Sequence, residues 1–236
     1  MHSFRRQAGK AINLLRPLWT MLNEVVLNIR TMPPSIAAST PSDPTRPKWR
    51  GPFSQRAKHE DNLGYASPDY WYIRAMARRL KLAREDVFYD IGCGMGRVLC
   101  VVAGRRIRKC VGIELLEPLC EKARCNALRL RGRKAPIEII CADAATADLS
   151  EGTVYYLFNP FGEDTLRDFL ANLETSISRD PRKVTVVYYN SAHESVLKES
   201  GWLNKSDEFN TLSGLRVTFW KSCGSERGFT PRPALG

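Results

Sequence analysis

The sequence predicts an α/β fold: a doubly wound, mostly parallel seven-stranded sheet with a C-terminal antiparallel hairpin, preceded by an N-terminal helical arm. Three observations carry this prediction. From residue 87 onwards, short runs of β-branched and aromatic residues alternate with stretches of helical periodicity. The run VFYDIGCGMGRV at 87–98 places three glycines directly behind an apolar strand. The last two strand-like runs are joined by NTLSG, a typical hairpin connection.

The elements follow in a regular order. A first helix is predicted to open at Ser67 and Pro68 and to reach about Leu82, because serine is a good cap and proline is favoured in a first turn. Parallel strands are predicted at 87–91, 109–114, 137–141, 153–158 and 183–189. Helices are predicted at 96–103, 118–131, 162–178 and 192–200, with a short helix or loop after the third strand. The hairpin strands are 202–209 and 214–221.

The chain divides into an arm, a linker, a domain and a tail. Residues 1–32 are predicted to form a basic amphipathic helical arm, 33–58 a proline-rich linker, 59–223 the main domain and 224–236 a disordered tail. The arm's helix either kinks or begins at Pro17. Two interpretations of the arm stay open: it packs on the main domain or on a twin, or it lies on a membrane surface. Its apolar stripe consists of Ile12, Leu15, Trp19, Leu22, Val26 and Ile29.

Net charge and cysteine content indicate which partners and which cellular compartment to expect for this protein. The net charge of the 236 residues is +11, and residues 1–60 carry ten Lys or Arg against three acids. This permits nucleic acid, an anionic membrane or an acidic protein as partner and selects none of them. Seven cysteines without a CxxC pair indicate reduced thiols, a cytoplasmic location and no metal site. No stretch approaches the ~20 apolar residues of a membrane span.

The glycine run binds a ligand other than a dinucleotide. A dinucleotide loop needs a third glycine at the position that Arg97 occupies here. The pattern present is Asp90, Gly92, Gly94 and Gly96. An aspartate repels a pyrophosphate but attracts an ammonium group, so a ligand with an amino-acid end suits this loop better. A nicotinamide-dependent enzyme is therefore the weakest alternative.

With this motif, residues 60–221 resemble the class I S-adenosylmethionine-dependent methyltransferases. The segment LAREDVFYDIGCGMGRVLCVVA at 82–103 is also similar to the Dot1-type protein-lysine methyltransferases. The resemblance implies S-adenosyl-L-methionine as cofactor, with Gly92, Gly94 and Gly96 in the loop that approaches its methionine part. It also implies that Asp90 faces the amine.

The resemblance also implies which residues contact the ribose and the adenine of the cofactor. Glu114 is expected to accept hydrogen bonds from the ribose hydroxyls. Asp143 is expected to receive the adenine amino group, and Leu115 and Ala142 to line the adenine. Taken singly, Glu114 also reads as a solvated strand end and Asp143 as a helix cap. Three acids that end successive strands favour the cofactor role.

The fourth predicted strand ends in LFNPFG, where this class places residues beside the transferred methyl group. The run resembles the (Asn/Asp/Ser)-Pro-Pro-(Tyr/Phe) motif of amino-group methyltransferases, with one proline missing, which argues against adenine or glutamine as substrate. Asn159, Pro160 and Phe161 are the predicted catalytic residues: Asn159 holds an amine, and Phe161 faces the cationic centre. The alternative is a tight turn without a catalytic role. His193 is either a base or an exposed helix start.

These expectations favour a protein as the methyl acceptor, N-methylated on lysine. RNA remains an alternative because Arg124, Arg129, Arg131, Arg133 and Lys134 form a basic cluster. A small-molecule acceptor and a non-catalytic S-adenosylmethionine-binding protein also stay open, because the fold does not fix the function.

Overall fold

The computed structural model describes residues 17–31 and 67–223 of the chain. The helices are α1 (17–27), α2 (Tyr70–Leu80), α3 (Arg97–Val102), α4 (Glu117–Arg129), α5 (Glu163–Arg179) and α6 (Glu194–Glu199). The strands are β1 (Val87–Ile91), β2 (Lys109–Glu114), β3 (Ile137–Cys141), β4 (Val154–Phe158), β5 (Thr185–Tyr189), β6 (Leu203–Asn210) and β7 (Arg216–Ser222). The predicted linker at 33–58 and tail at 224–236 lie outside the described residues, as do residues 1–16.

The seven strands form one sheet in the order β3-β2-β1-β4-β5-β7-β6. Strands β1 to β5 are parallel, and β7 pairs antiparallel with both β5 and β6. The predicted fold class is therefore confirmed. The order of strand addition reverses between β1 and β4, and a crevice opens at such a switch point beyond the carboxyl ends of the strands.

Strand β1 is buried along its whole length because helices cover both faces of the sheet. Val87, Tyr89 and Ile91 pack into the cluster that contains Phe169 of α5. Phe88 points the other way, into the cluster that contains residues of α2 and α3. The period of two along a strand thus fills two cores, and a continuous apolar run is the result.

Two local predictions were wrong. Helix α2 begins at Tyr70 with Asp69 as its N-cap, so Ser67 is not the cap. The backbone of Asp69 is extended, and its carbonyl accepts the first helical hydrogen bonds, while the Pro68 carbonyl accepts a hydrogen bond from Arg97 at 3.2 Å. Residues 118–131 also differ slightly, since α4 begins one residue earlier and ends at Arg129.

Helix α1 packs on the domain through its polar face, the reverse of the arrangement that its apolar stripe predicts. Thr20 and Asn23 are buried, whereas Trp19, Leu22 and Val26 are exposed. The Asn23 side chain accepts a hydrogen bond from Arg74 of α2 at 2.7 Å. Satisfied polar groups hold this helix in place, together with a small apolar cluster in which Leu27 and Ile29 meet Tyr70.

The chain that follows α1 is fastened by Asn126 of α4. The Asn126 amide accepts a hydrogen bond from the backbone N–H of Arg30 at 2.8 Å and donates one to the Arg30 carbonyl at 2.9 Å. It also donates to the carbonyl of Met95 in the glycine loop at 2.9 Å. One buried side chain therefore joins the arm to the loop behind β1.

Arg97 holds the same segment from the other side. Its guanidinium is buried, donates from Nε to Thr31 Oγ1 at 2.7 Å and lies 3.6 Å from the Glu24 carboxylate. It also lies over the Tyr70 ring, 5.1 Å from the centroid. A buried charge needs such partners, so Arg97 and the arm depend on each other.

No helix in the ranges 17–31 and 67–223 has the length and apolar composition needed to cross a membrane. All seven cysteines lie in these ranges, and none forms a disulfide.

Gly112 in β2 provides a test of this packing. A Cβ at Gly112 would lie 2.5 Å from Leu99 Cδ1 and 2.7 Å from Cys93 Sγ. We expect Gly112→Ala to lower the free energy of unfolding by about 1–3 kcal/mol through overpacking, as measured by denaturant unfolding. Gly104→Ala, whose Cβ approaches only the Val101 carbonyl at 3.3 Å, is the control and should cost less. Equal midpoints for the Gly112→Ala variant and the parent protein would contradict the packing.

Candidate functional site

The residues predicted to bind and react converge at one edge of the sheet. Ile91 of β1 pairs in register with Ile113 of β2 and with Leu157 of β4, so these parallel strands end together. Glu114 therefore ends its strand beside the glycine loop, and Asn159 follows β4 on the other side. This is the edge at the switch point.

The glycine loop needs backbone angles that other residues rarely adopt. Gly92, Gly94 and Gly96 have φ values of +74°, +54° and +78°. The backbone N–H groups of Gly92 and Cys93 both donate to the carbonyl of Ile113, at 2.9 and 3.0 Å. The loop thus turns tightly over the end of β2 and leads into α3.

Gly92 also touches the predicted catalytic turn. A Cβ at Gly92 would lie 2.6 Å from Cβ of Pro160, closer than any real contact of that kind. The absence of a side chain at Gly92 is therefore what lets the turn after β4 lie against the glycine loop. The predicted cofactor loop and the predicted NPFG turn form one site.

Asp90 is a buried carboxylate that lacks a partner. Its side chain is only 3% exposed, and Oδ2 has no hydrogen-bond partner among the described residues. Burial raises the pKa of Asp90 well above its usual range, and the negative charge of Glu114 raises it further. A buried, unsatisfied acceptor of this kind fits an ammonium group, such as the amine of S-adenosylmethionine.

Glu114 is not a solvated strand end. It is buried, its Oε2 accepts from the backbone N–H of Gly94 at 2.9 Å, and its Oε1 accepts from that of Leu116 at 3.0 Å. Burial raises the pKa of Glu114, and these backbone hydrogen bonds partly offset the rise. The carboxylate thus ties the glycine loop to the end of β2, and its contact with ribose hydroxyls stays a prediction.

The third predicted acid, Asp143, lies in the turn after β3. Its Oδ1 accepts from the N–H of Ala145 at 2.9 Å within this turn, and no helix begins here for it to cap. The N–H of Ala142 donates to the Glu114 carbonyl at 3.0 Å, so this turn sits beside Leu115. The surfaces predicted to hold the adenine are therefore adjacent, while their contact with it stays a prediction.

Asn159 is held in an unusual conformation by a residue from the next strand. Its φ is +40°, in the left-handed region that a non-glycine residue adopts at a cost. Its Oδ1 accepts a hydrogen bond from the Tyr188 hydroxyl at 2.6 Å. The same hydroxyl accepts a hydrogen bond from the backbone N–H of His193 at 3.4 Å. Tyr188 thus connects the backbone of His193 to the side chain of Asn159.

Phe161 lies elsewhere than predicted. Its ring is buried in the core with Leu166 and packs against Phe169, with 6.4 Å between ring centroids. This placement does not support the predicted contact with a cationic centre, because the ring fills the space under α5. The aromatic residues that end β4 and β5 are instead Phe158 and Tyr189, whose rings meet edge to face at 4.6 Å.

Sequence reasoning missed the supporting residues of this site. Tyr188 is 29 residues from Asn159, and no local pattern links them. A second missed group consists of Glu117, Cys120 and Cys141, whose ligand atoms lie within 4.8 Å of one another. Glu117 pairs with Arg124, and Cys120 donates to the Glu114 carbonyl, so protein contacts already engage part of this group.

Two sequence comparisons bear on this site. The family model described as histone methylation protein DOT1 matches residues 60–135, which include the glycine loop. A curated protein-lysine N-methyltransferase from Saccharolobus islandicus (strain REY15A) is 30% identical over 87 residues, covering 36% of this chain and 53% of that protein. The chain thus spans about half the length of this relative.

Solved structures show the same fold. An RNA methyltransferase from Salinibacter ruber, in complex with S-adenosyl-L-homocysteine, superposes with a TM-score of 0.51 at 23% identity, covering 69% of this chain and 96% of that one. A magnesium protoporphyrin IX methyltransferase from Synechocystis PCC 6803 with bound S-adenosylmethionine gives 0.50 at 10% identity, covering 68% and 87%.

These findings confirm the resemblance predicted from the glycine loop, and the cofactors in the solved structures agree with the ligand that suits Asp90. The sheet order, the loop and the matched relatives point to one class. By its fold and by its glycine loop, the chain is similar to the class I S-adenosylmethionine-dependent methyltransferases.

Proposed function

We propose that this chain transfers a methyl group from S-adenosylmethionine to the amino group of a lysine in a protein. The observation that carries the proposal is the placement of Asn159, whose amide oxygen is fixed by Tyr188 next to the glycine loop. The match to the DOT1 model and the likeness to a protein-lysine methyltransferase support the same acceptor.

The cofactor supplies an electrophilic methyl group on a sulfonium when bound. Asp90 would hold its ammonium group, and Glu114 its ribose hydroxyls, each through charge-assisted hydrogen bonds. Asp143 would accept from the adenine amino group, and Leu115 and Ala142 would flank the ring.

Asn159 would orient the acceptor amine. A carbonyl oxygen has two lone pairs, and the Tyr188 hydroxyl occupies one of them. The other would accept an N–H of the amine and direct the nitrogen lone pair toward the methyl group, in line with the bond that breaks. Lysine, with a usual pKa of about 10.4, must lose its proton first, because only the neutral amine has a lone pair to donate.

The surroundings of Asn159 suit the aliphatic part of a lysine side chain. Phe158 and Tyr189 end the two central strands, and the ring of Tyr72 lies 6.4 Å from that of Tyr189, measured between centroids. Phe158 and Tyr72 are partly exposed. Apolar ring surfaces would line the approach of a methylene chain, as in other sites that bind amines.

RNA is the alternative acceptor, and the basic cluster and the Salinibacter relative favour it. However, α4 starts at the carboxyl edge of the sheet after β2 and ends before β3 begins. The exposed cations from Arg129 to Lys134 therefore lie toward the opposite edge from Asn159. This separation favours a protein acceptor.

The acceptor class is tested with methyl-labelled S-adenosylmethionine and a fractionated cell lysate. We expect label in protein that survives nuclease and that yields N-methyl-lysine on mass spectrometry. Lysate protein whose lysines have first been blocked by acetylation should take up no label, because an amide nitrogen has no lone pair to donate. Label in RNA would overturn the proposed acceptor, and label in no fraction would overturn the activity.

Asn159→Ala separates binding from turnover. The change removes the carbonyl that orients the amine and leaves the carboxylates intact. We expect the turnover number to fall about a hundredfold, as for a misplaced nucleophile, with cofactor affinity within about twofold of the parent in calorimetric titration. Turnover at the parent rate would remove Asn159 from the mechanism.

Tyr188→Phe tests whether Asn159 must be held. The ring of Tyr188 is buried and stays, while the hydrogen bond to Asn159 is lost. We expect about a tenfold lower turnover number with unchanged cofactor affinity, the size of one buried hydrogen bond. Tyr156→Phe is the matched control, because its buried hydroxyl has no partner among the described residues and its loss should leave turnover unchanged. Equal rates for both variants would contradict the positioning role.

Asp90→Asn should stabilise the ligand-free protein and weaken cofactor binding. Since the folded-state pKa of Asp90 is raised, ionising this carboxyl disfavours folding as the pH rises above its unfolded value of about 4. The melting temperature of Asp90→Asn should therefore exceed that of the parent at pH 7 and match it more closely near pH 4. Affinity for S-adenosylmethionine should fall about ten- to hundredfold, as for a lost charged hydrogen bond. A variant with parent-like affinity would exclude Asp90 from the cofactor site.

A further inference from the structure

Helix α1 turns a polar side toward the domain and an apolar side toward solvent. Its polar residues Thr20, Asn23 and Glu24 face the domain, while six large apolar side chains face solvent with 45–70% of their surface exposed. These six define the outer face of α1: Leu18, Trp19, Met21, Leu22, Val25 and Val26. Contiguous exposed apolar surface of this kind on one helix indicates a binding surface.

The inward orientation is fixed by specific contacts. The side chain of Asn23 accepts a hydrogen bond from Arg74, and the Glu24 carboxylate accepts hydrogen bonds from both the N–H and the hydroxyl of Thr31, at 2.9 and 2.6 Å. Turning the outer face toward the domain would break these bonds and bury unpaired polar groups. The outer face is therefore left free to bind a partner other than the domain of this chain.

Exposed cations lie near one end of the outer face of α1. The N–H of Arg131 donates to the carbonyl of Leu27 at 3.0 Å, and the Asn28 amide donates to the carbonyl of Arg129 at 3.0 Å, so the loop after α4 adjoins the end of α1. Exposed Arg30 and Leu128 lie at the same junction. Five exposed cations lie in these two segments, namely Arg30 after α1 and Arg129, Arg131, Arg133 and Lys134 at and after the end of α4.

No acid of α1 offsets this charge on its outer face. Glu24 is the acidic residue of the described arm, and its carboxylate lies inward, 3.6 Å from the guanidinium of Arg97. Within residues 17–31 and 67–223, none of the five cations forms an ion pair with a carboxylate. The surface is apolar at its centre and positive at one end.

We infer that the outer face of α1 docks on an anionic membrane surface. An apolar helix face with adjoining Arg and Lys is the pattern of helices that lie in the interface, with apolar side chains among the acyl chains and cations at the headgroups. The 11 described residues of α1 extend about 16 Å, which suits a helix segment lying flat on a surface. Trp19 on the outer face is the residue type that membrane interfaces favour.

Charge argues against a second copy of the chain as the occupant. In a twofold-symmetric pair the same surface meets itself, so these cations would come close to their symmetry mates. Anionic headgroups instead supply the opposite charge. The docking is independent of the acceptor proposed above, because it involves no residue of the reacting site.

The test is co-sedimentation of the full chain with vesicles of phosphatidylcholine, alone or with phosphatidylglycerol. We expect binding to the mixed vesicles that weakens with rising salt, since exposed charges are screened. Leu22→Glu with Val26→Glu should reduce the partition coefficient at least about tenfold, because it removes apolar burial. Arg129→Glu with Arg131→Glu should reduce binding to the mixed vesicles alone.

Leu212→Glu is the control, because Leu212 is an exposed apolar residue away from α1, in the hairpin between β6 and β7. It should bind vesicles like the parent, and all variants should keep the parent's circular dichroism spectrum. Failure of the parent to sediment with mixed vesicles, or unchanged sedimentation of the Leu22→Glu, Val26→Glu variant, would overturn the inference. A dimer in analytical ultracentrifugation that this variant abolishes, without vesicle binding, would assign the face to a second copy instead.

Discussion

The site depends on the close approach of two backbones at Gly92 and Pro160. Strands β1 and β4 are neighbours, but their following turns lie against each other only because Gly92 has no side chain and a positive φ. A larger residue would push the turn after β4 away from the loop. Asp90 and Asn159, which belong to different halves of the sheet, would then separate. The absence of a Cβ at Gly92 thus sets the distance between the predicted cofactor loop and the turn that carries Asn159.

The site is built from groups that disfavour folding. Asp90 has a carboxylate oxygen without a partner, Glu114 is buried, and Asn159 has a strained backbone. Such features persist where the surrounding structure determines them. Here the two cores on either face of β1 supply that support. These groups lower the stability of the ligand-free protein, and a bound cation would pair with the unsatisfied carboxylate oxygen.

The sequence predicted what depends on local pattern and on strand ends. The strands were found because each is a short apolar run, and Asp90, Glu114 and Asp143 were expected near one another because parallel strands end at one edge. The burial of the Phe161 ring in the core was not foreseen, since the turn geometry after a strand decides which way the next side chain points. The orientation of α1 was left open, because an amphipathic stripe does not say which face meets the domain. The contact between Tyr188 and Asn159 joins distant residues and leaves no local trace.

The position of β7 has a consequence for how the chain is assembled during synthesis. Strand β7 follows the other six in the chain, yet it lies between β5 and β6. Until residues 216–222 have left the ribosome, β5 presents an unpaired edge and β6 has no strand to join. The nascent domain therefore carries an open, aggregation-prone edge at β5 from the completion of β5 until β7 emerges. A stop anywhere before β7 would leave a sheet that lacks two strands rather than one.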